Sequence, residues 1–408
     1  MVLMFSVDEA LAQMLPSFRT LPAKRVSLSR VMGRVLAEDI TADTALPPFA
    51  NSSMDGYAVR AADALPGFDL NVIGDIPAGS FPAFVVGAGQ AARIMTGAPL
   101  PAGADAVVPV ENTESADRQM MAASVPATIR VTSPVSAGDY VRPVGEDIEA
   151  GQVVLRARRR LRAPDLGVLA GLGRAQVAVI SRPRVAILST GDELLAIDQP
   201  LTPGKIRDMN GYALAALCES LGARVLRLGI ARDTEADVAD KLQQAVQAGV
   251  DLILSSAGVS VGAYDVVKAV VESMGALSFW KVNVRPGKPL AFGQVRGIPF
   301  MGLPGNPVSA LVTFDVFARP AICTLAGRDW QSGLAEALTV EPIRSDARRT
   351  YMRVTIERRD GLLYARPTIN QSSGVLTSLV SADGLLIVPE NAGEIPAGTR
   401  LSVRLFSE

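Results

Sequence analysis

The sequence predicts a multidomain α/β plus β chain: a doubly wound α/β domain between a β-rich N-terminal region and a small C-terminal β domain. Three observations predict it. Between about residues 176 and 328, buried strand-like runs alternate with amphipathic helical runs, the pattern of a parallel sheet wound on both faces. Before that segment the chain is rich in Pro, Gly and short Val/Ala/Ile runs. After about Ala337 it returns to alternating apolar and polar residues.

At the N-terminus, Ser6 followed by Glu9 forms a capping box, the start of an amphipathic helix. A second helix is expected from about Leu28 to Ala37, and turns at Pro101-Ala102-Gly103 and Ser136-Ala137-Gly138-Asp139. The α/β segment is read as strand Arg184–Ser189, helix Asn210–Leu221 ending at Gly222, strand Arg224–Leu228, helix Thr234–Ala248, strand Asp251–Ser255 and helix Ala263–Met274. Strands near Ala276–Val282 and Pro299–Met301 follow, then a long helix from Pro307 to Leu325. In the last segment, Met352–Glu357 and Leu385–Val388 read as strands, with turns at Asp360-Gly361 and Asp383-Gly384. These should form a small, separate β domain.

Composition narrows the chemistry. The 408 residues are 49% apolar and 20% charged, with a net charge of −1. No global basic field exists to hold nucleic acid, so an anionic ligand needs a local cluster of Lys, Arg and backbone N–H groups. The absence of histidine excludes Ser-His-Asp and Cys-His catalysis and His-containing zinc sites. The two cysteines, Cys218 and Cys323, each lie in an apolar helical pattern and read as core residues. A metal would therefore be held by oxygens, which suits Mg²⁺. The opening MVLMFSVDEALAQML lacks the layout of a signal peptide, and no run of eighteen apolar residues is present. No membrane span and a cytoplasmic location are expected.

Three loops should meet at one sheet edge: Ser189–Glu193, Ser255–Gly262 and Gly302–Pro307. Glycine admits a ligand close to the backbone, and a following helix N-terminus favours an oxyanion. Gly258, Ser260, Gly262, Gly305 and Asn306 are thus candidate ligand contacts. Asp192, Glu193, Asp208, Asp233 and Asp265 lie beside these loops, and each reads either as a helix cap or as a Mg²⁺ ligand. Lys281, Arg285 and Lys288, around a Pro-Gly turn, supply positive charge for a phosphate or tetrahedral oxyanion.

Eight strings spread in order along nearly the whole chain resemble the molybdopterin molybdenumtransferase (MoeA) family, related to the gephyrin C-terminal domain. They are SSMDGYA, MTGAPLP, GADAVVPVE, VGEDI, STGDEL, GVSVGAYD, WKVNVRPGKP with LAFG, and GLPGNPVSA. The resemblance implies a linking domain at residues 1–45 with 147–178, an inserted β-rich domain at 46–146, a molybdopterin-binding α/β domain at 179–328 and a C-terminal β domain at 329–408. It also implies a homodimer whose active cleft uses both subunits, and transient contacts with other cofactor-pathway proteins. The implied reaction places molybdate on adenylated molybdopterin and releases AMP, with Mg²⁺. By similarity, the site positions are Asp55, Thr96, Glu193, Asp233, Asp265, Lys281, Arg285, Pro304 and Pro307, with Arg348, Arg353 and Ser373 from the C-terminal domain. The implied metal ligands are Asp233, Asp265 and Glu193; Lys288 and Ser260 would meet oxyanions.

The chain departs from the family pattern at Ala257, where glycine is usual, at Ala263 and Ala50, where an acid is usual or frequent, and at Arg285, where lysine is frequent. A tungstate-inserting enzyme, a molybdopterin-adenylating enzyme and a degenerate paralogue acting as a binding scaffold are the alternatives. Retention of Asp233, Asp265 and Lys281 favours an enzyme.

Overall fold

The computed structural model describes residues 5–114, 124–256, 263–331 and 333–406. It contains two compact units. One comprises residues 27–32 and 38–177, the other residues 1–26, 33–37 and 178–408.

The first unit is built on a five-stranded sheet in the order Ala106–Pro109, Gly56–Val59, Gln90–Ile94, Asp69–Ile76, Thr128–Arg130. All neighbours are antiparallel except Asp69–Ile76 and Gln90–Ile94. Tyr57, Val59, Leu70, Val108 and Ile129 fill one face, and Ala58, Ile76, Ile94 and Val107 the other. Gly56 has no room for a side chain, because a Cβ would press on the Val108 carbonyl of the neighbouring strand. The helix expected over Leu28–Ala37 is not there. Only Leu28–Arg30 makes a 3₁₀ turn, and Gly33 then turns left-handed at φ 71°. A left-handed residue breaks the helical hydrogen-bond ladder. Leu36 instead bridges Val179.

In the second unit, a six-stranded sheet runs Arg224–Ala231, Arg184–Thr190, Leu252–Ser256, Ile298–Leu303, Pro289–Val295, Gly275–Lys281. The first four strands are parallel. Side chains alternate across the Arg184–Thr190 strand: Val185 and Ile187 enter one core, Ala186 and Leu188 the other. That double burial explains its continuous apolar run. Helices Asn210–Ser220 and Pro307–Thr313 pack on one face, and Glu235–Ala248 and Ala263–Met274 on the other. Helix ends match the sequence signals. Thr234 accepts a hydrogen bond from Asp237 N, and Gly249 closes the same helix in the left-handed conformation.

Two features differ from the expected pattern. Pro289–Val295, expected only as a basic loop and its sequel, is a sheet strand antiparallel to both neighbours. Arg296 and Gly297, both at positive φ, make the tight hairpin that reverses the chain into Ile298–Leu303. The sheet is therefore mixed. The Pro307–Leu325 helix also loosens into a π segment at Phe314–Ala318 before Arg319–Leu325. Pro320 has no N–H and its ring crowds the preceding turn, which accounts for the wider coil. This helix is long and apolar enough to cross a membrane, with a mean hydropathy of 1.5, but 78% of the apolar window is buried inside the fold. It is the central core helix of the α/β layer.

The C-terminal strands Leu334–Thr339, Arg349–Arg359, Leu362–Pro367, Gly384–Val388 and Arg400–Leu405 close on themselves, because Arg349–Arg359 pairs with both Leu362–Pro367 and Gly384–Val388. The result is a five-stranded barrel around Val354, Ala365, Leu386 and Val403. The barrel is not insulated from the α/β layer. Val284–Arg285 adds a parallel strand beside Arg349–Thr350, and Tyr351 and Leu385 join the α/β core. Arg349 also forks onto Asp8 at the N-terminal helix and onto Glu390. Asp383, expected in a turn, lies at a bend, and Gly384 opens a strand whose neighbour's Arg404 carbonyl would meet any Cβ.

Candidate functional site

The carboxyl ends of the central parallel strands enclose a cavity of about 290 Å³ lined by Thr190, Glu193, Asp208, Asn210, Ser256 and the Gly305–Pro307 loop. Ligands in open α/β sheets bind at such strand ends. Gly191, at φ 142°, lets the chain turn sharply under the Glu193 carboxylate; a Cβ there would collide with it. The first loop does not lead straight into a helix. It passes through the paired segments Leu194–Leu195 and Ile206–Arg207 before the Asn210 helix begins. The third loop does, with Pro307 at the first turn of its helix.

Asp208 serves the fold. Its carboxylate accepts from Ser189 Oγ and from Gly211 N, both at 2.8 Å, and fixes the start of the Asn210 helix. Asn210 Nδ2 then reaches 2.7 Å to the Gly305 carbonyl and ties the third loop to the first helix. Asp192 and Asp233 cross-link two strand ends: each backbone N–H donates to the other's carboxylate, at 3.4 and 3.2 Å. Among the described residues, three buried oxygens near these strand ends have no hydrogen-bond partner: Thr190 Oγ1 and Asn210 Oδ1, whose residues line the cavity, and Asp233 Oδ1. Thr190 is fully buried. An orphaned buried polar atom costs free energy, so three at one sheet edge mark a place prepared for a ligand. Sequence reasoning missed Thr190 and Asn210, since nothing local says that a helix-start Asn has an unpaired oxygen.

A second cavity, of about 580 Å³, opens where the α/β layer meets the barrel. Arg285, Lys288, Arg344, Arg348 and Arg353 line it, with Gln371 and Ser373. The two cavities share a seam: Asn306 Nδ2 donates to Ser373 Oγ, and Val308 N donates to the Ser373 carbonyl. Not every predicted cation is free. Arg285 Nη1 lies 3.0 Å from Asp346, which also accepts from Arg348. The Arg348 guanidinium and backbone N–H, with Arg285, hold the Asp346 carboxyl down to about 2. Arg353 is 1% exposed and spends its guanidinium on Ser378 Oγ and the carbonyls of Asn370 and Ser372. It props up the 370–373 loop instead of presenting a bare charge. Burial pulls its pKa down, yet guanidinium stays charged. Lys281 lines neither cavity; its carbonyl accepts from Phe5 N.

In the other unit, Asp55 and Thr96 form a pair. Asp55 Oδ1 accepts from Thr96 N at 2.8 Å and from Thr96 Oγ1 at 2.7 Å. Gly258, Ser260 and Gly262 lie outside the described residues, as does the side chain of Asp265 on the Ala263–Met274 helix. Among the described residues, no group of three or more carboxylate or thiol side chains gathers to hold a metal. Glu193 and Asp233, the latter with an orphaned oxygen, are hard donors at the same sheet edge. Two carboxylates fit Mg²⁺, which is often held by one or two carboxylates, with substrate phosphates and water completing its shell.

Fold and site define a multidomain protein with a ligand-binding α/β layer that presents orphaned oxygens and carboxylates beside a basic cavity. Its N-terminal region matches the MoeA N-terminal region (domain I and II) over residues 5–173. Residues 186–324 match a probable molybdopterin binding domain, and residues 336–406 the MoeA C-terminal region (domain IV). The chain belongs to the MoeA family of molybdopterin molybdenumtransferases. It is 38% identical to a molybdopterin molybdenumtransferase of Nostoc, over 91% of this chain and 86% of the relative. It is 35% identical to that of Haemophilus influenzae, over 99% of both chains. The crystal structure of a molybdopterin biosynthesis MoeA protein from Pyrococcus horikoshii superposes over the full length of both chains, with a TM-score of 0.84 and 32% identity.

Proposed function

We propose that this chain is a molybdenum insertase of molybdenum cofactor biosynthesis: it binds adenylated molybdopterin, places molybdate on the dithiolene sulfurs and releases AMP. The observation that carries the reading is the set of orphaned oxygens of Thr190, Asn210 and Asp233 at the strand ends, joined through Asn306 and Ser373 to the basic cavity. A neutral, hydrogen-bonding pterin suits the first cavity; phosphate and molybdate suit the second. Asp233 and Glu193 would hold Mg²⁺, with Asp265 as the further ligand the resemblance implies; the cation would offset charge on the pyrophosphate. Lys288 and Arg344 would bind oxyanions directly. Arg285 and Arg348 are shared with Asp346, whose carboxylate an incoming oxyanion must displace. Water would cleave the phosphoanhydride, with these cations stabilising the developing charge. The proposal includes cytoplasmic catalysis by a homodimer that exchanges its product with pathway proteins, with Asp55 and Thr96 taking part as the resemblance implies.

The test is to incubate purified protein with adenylated molybdopterin and Mg²⁺, with molybdate, with tungstate or with neither. AMP release that depends on molybdate, with molybdenum retained on the pterin, is expected. Release at the same rate without any oxyanion overturns insertion as the coupled step. Light scattering on the same sample checks the dimer.

A further inference from the structure

The second unit carries a cluster of cations away from the strand ends just described. Arg182 and Arg224 precede or open the Arg184–Thr190 and Arg224–Ala231 strands at their amino ends. Arg34 and Arg182 line a notch of about 30 Å³ together with Gly33, Ser181, Gly222 and Arg328. Arg224 and Lys24 adjoin the notch: Arg224 N donates 2.7 Å to the carbonyl of Pro183, which lines it, and Ser181 N, also in its lining, donates 3.1 Å to the carbonyl of Pro22, two residues before Lys24. Burial lowers the pKa of both Arg34 and Lys24, and the charges of Arg182 and Arg224 add to it. Arg34 is 8% exposed, and one of its nitrogens is committed, donating 2.6 Å to the Ile180 carbonyl. Among the described residues, no salt bridge joins a carboxylate to Lys24, Arg34, Arg182 or Arg224. No Asp or Glu lines the notch.

Helix carbonyl ends offset part of this charge. Leu221, at the end of the Asn210–Ser220 helix, accepts from Arg328. The partial charge of a helix end is about half an electron, against four full positive charges. Like charges with one member buried oppose folding unless a counter-charge is present.

We propose that this notch is an anion site for one tetrahedral oxyanion of the phosphate class, held by Arg34, Arg182, Arg224 and Lys24. The notch has room for roughly two water-sized positions, enough for two oxygens of one phosphoryl group, with its remaining oxygens outside the notch, and too little for a base or a pterin. The rest of a phosphomonoester would project into solvent past the exposed Arg182 and Arg224.

The test titrates the full chain at low ionic strength with inorganic phosphate and with glycerol phosphate, against sodium chloride at matched ionic strength. Calorimetry and thermal unfolding are the readouts. The Arg182→Gln/Arg224→Gln variant is expected to lose one phosphate-binding event or weaken it by about tenfold, the loss of about one charge-assisted hydrogen bond. It should also melt no lower than the parent in phosphate-free buffer, because repulsion is relieved. A Lys288→Gln/Arg344→Gln control, which depletes the basic cavity at the barrel, should keep the event. Retention with glycerol phosphate identifies a monoester end as the ligand; response to phosphate alone identifies the free ion. An unchanged titration in Arg182→Gln/Arg224→Gln, or an equal rise in Tm with sodium chloride, overturns the site.

Discussion

Replacing Asn210 by Ala separates a ligand-binding role from a structural one. In the free protein Asn210 makes one good hydrogen bond, Nδ2 to the Gly305 carbonyl at 2.7 Å, and leaves Oδ1 buried without a partner. A neutral hydrogen bond contributes about 0.5–1.5 kcal/mol net, whereas an orphaned buried acceptor costs about 1–3 kcal/mol. Losing both together should leave stability nearly unchanged, within about 1 kcal/mol, although the side chain is half-buried. Binding should respond quite differently. If a ligand donor fills the Oδ1 vacancy, its own partner is lost in the variant, and affinity should fall by about 1–3 kcal/mol, or roughly 5- to 150-fold. The assay pairs calorimetric binding of adenylated molybdopterin with chemical unfolding of parent and variant. A loss of more than about 2 kcal/mol in stability with unchanged affinity would refute the reasoning, since Asn210 would then be only a loop tie.

Thr190→Val removes an orphaned hydroxyl from a fully buried position at nearly constant volume; a stability gain of about 1 kcal/mol is expected with weaker ligand binding, both read in the same assays. Asp233→Asn keeps the shape of the strand-end cross-link but discards the charge on its unpartnered oxygen; Mg²⁺-dependent AMP release should drop at least tenfold with little change in Tm, and an unaltered Mg²⁺ dependence sinks the metal assignment. The depressed Asp346 carboxyl contributes stability that is present above its ordinary value of 3.8 and lost as pH falls through about 2; Asp346→Asn should flatten acid unfolding in that window. The same variant releases Arg285 and Arg348, and should bind molybdate more tightly by calorimetry at neutral pH, where the parent still carries the competing carboxylate.

Much of the fold is legible because local patterns encode it. Val185 and Ile187 alternate with Ala186 and Leu188, and a strand buried on both faces needs apolar residues at all four. Thr234 and Gly249 bound their helix through hydrogen bonds and φ angles that depend on near neighbours alone. The same reasoning fails at Leu28–Ala37, where apolar spacing suggested a helix and the left-handed Gly33 stopped it. It also passed over Pro289–Val295, whose strand depends on neighbours on both sides within the sheet.

The sequence by itself determined the α/β layer, the Ser189–Glu193 and Gly302–Pro307 loops at its edge, and the family. Each follows from residue type and short-range order. Only the tertiary structure decided which of those groups remain free to act. Asn210 meets Gly305, Arg285 meets Asp346 and Arg353 turns inward to the 370–373 loop. The physical reason is that a side chain's availability depends on who else has claimed its donors and acceptors, and those claimants lie far away in the chain and arrive only when the layers pack.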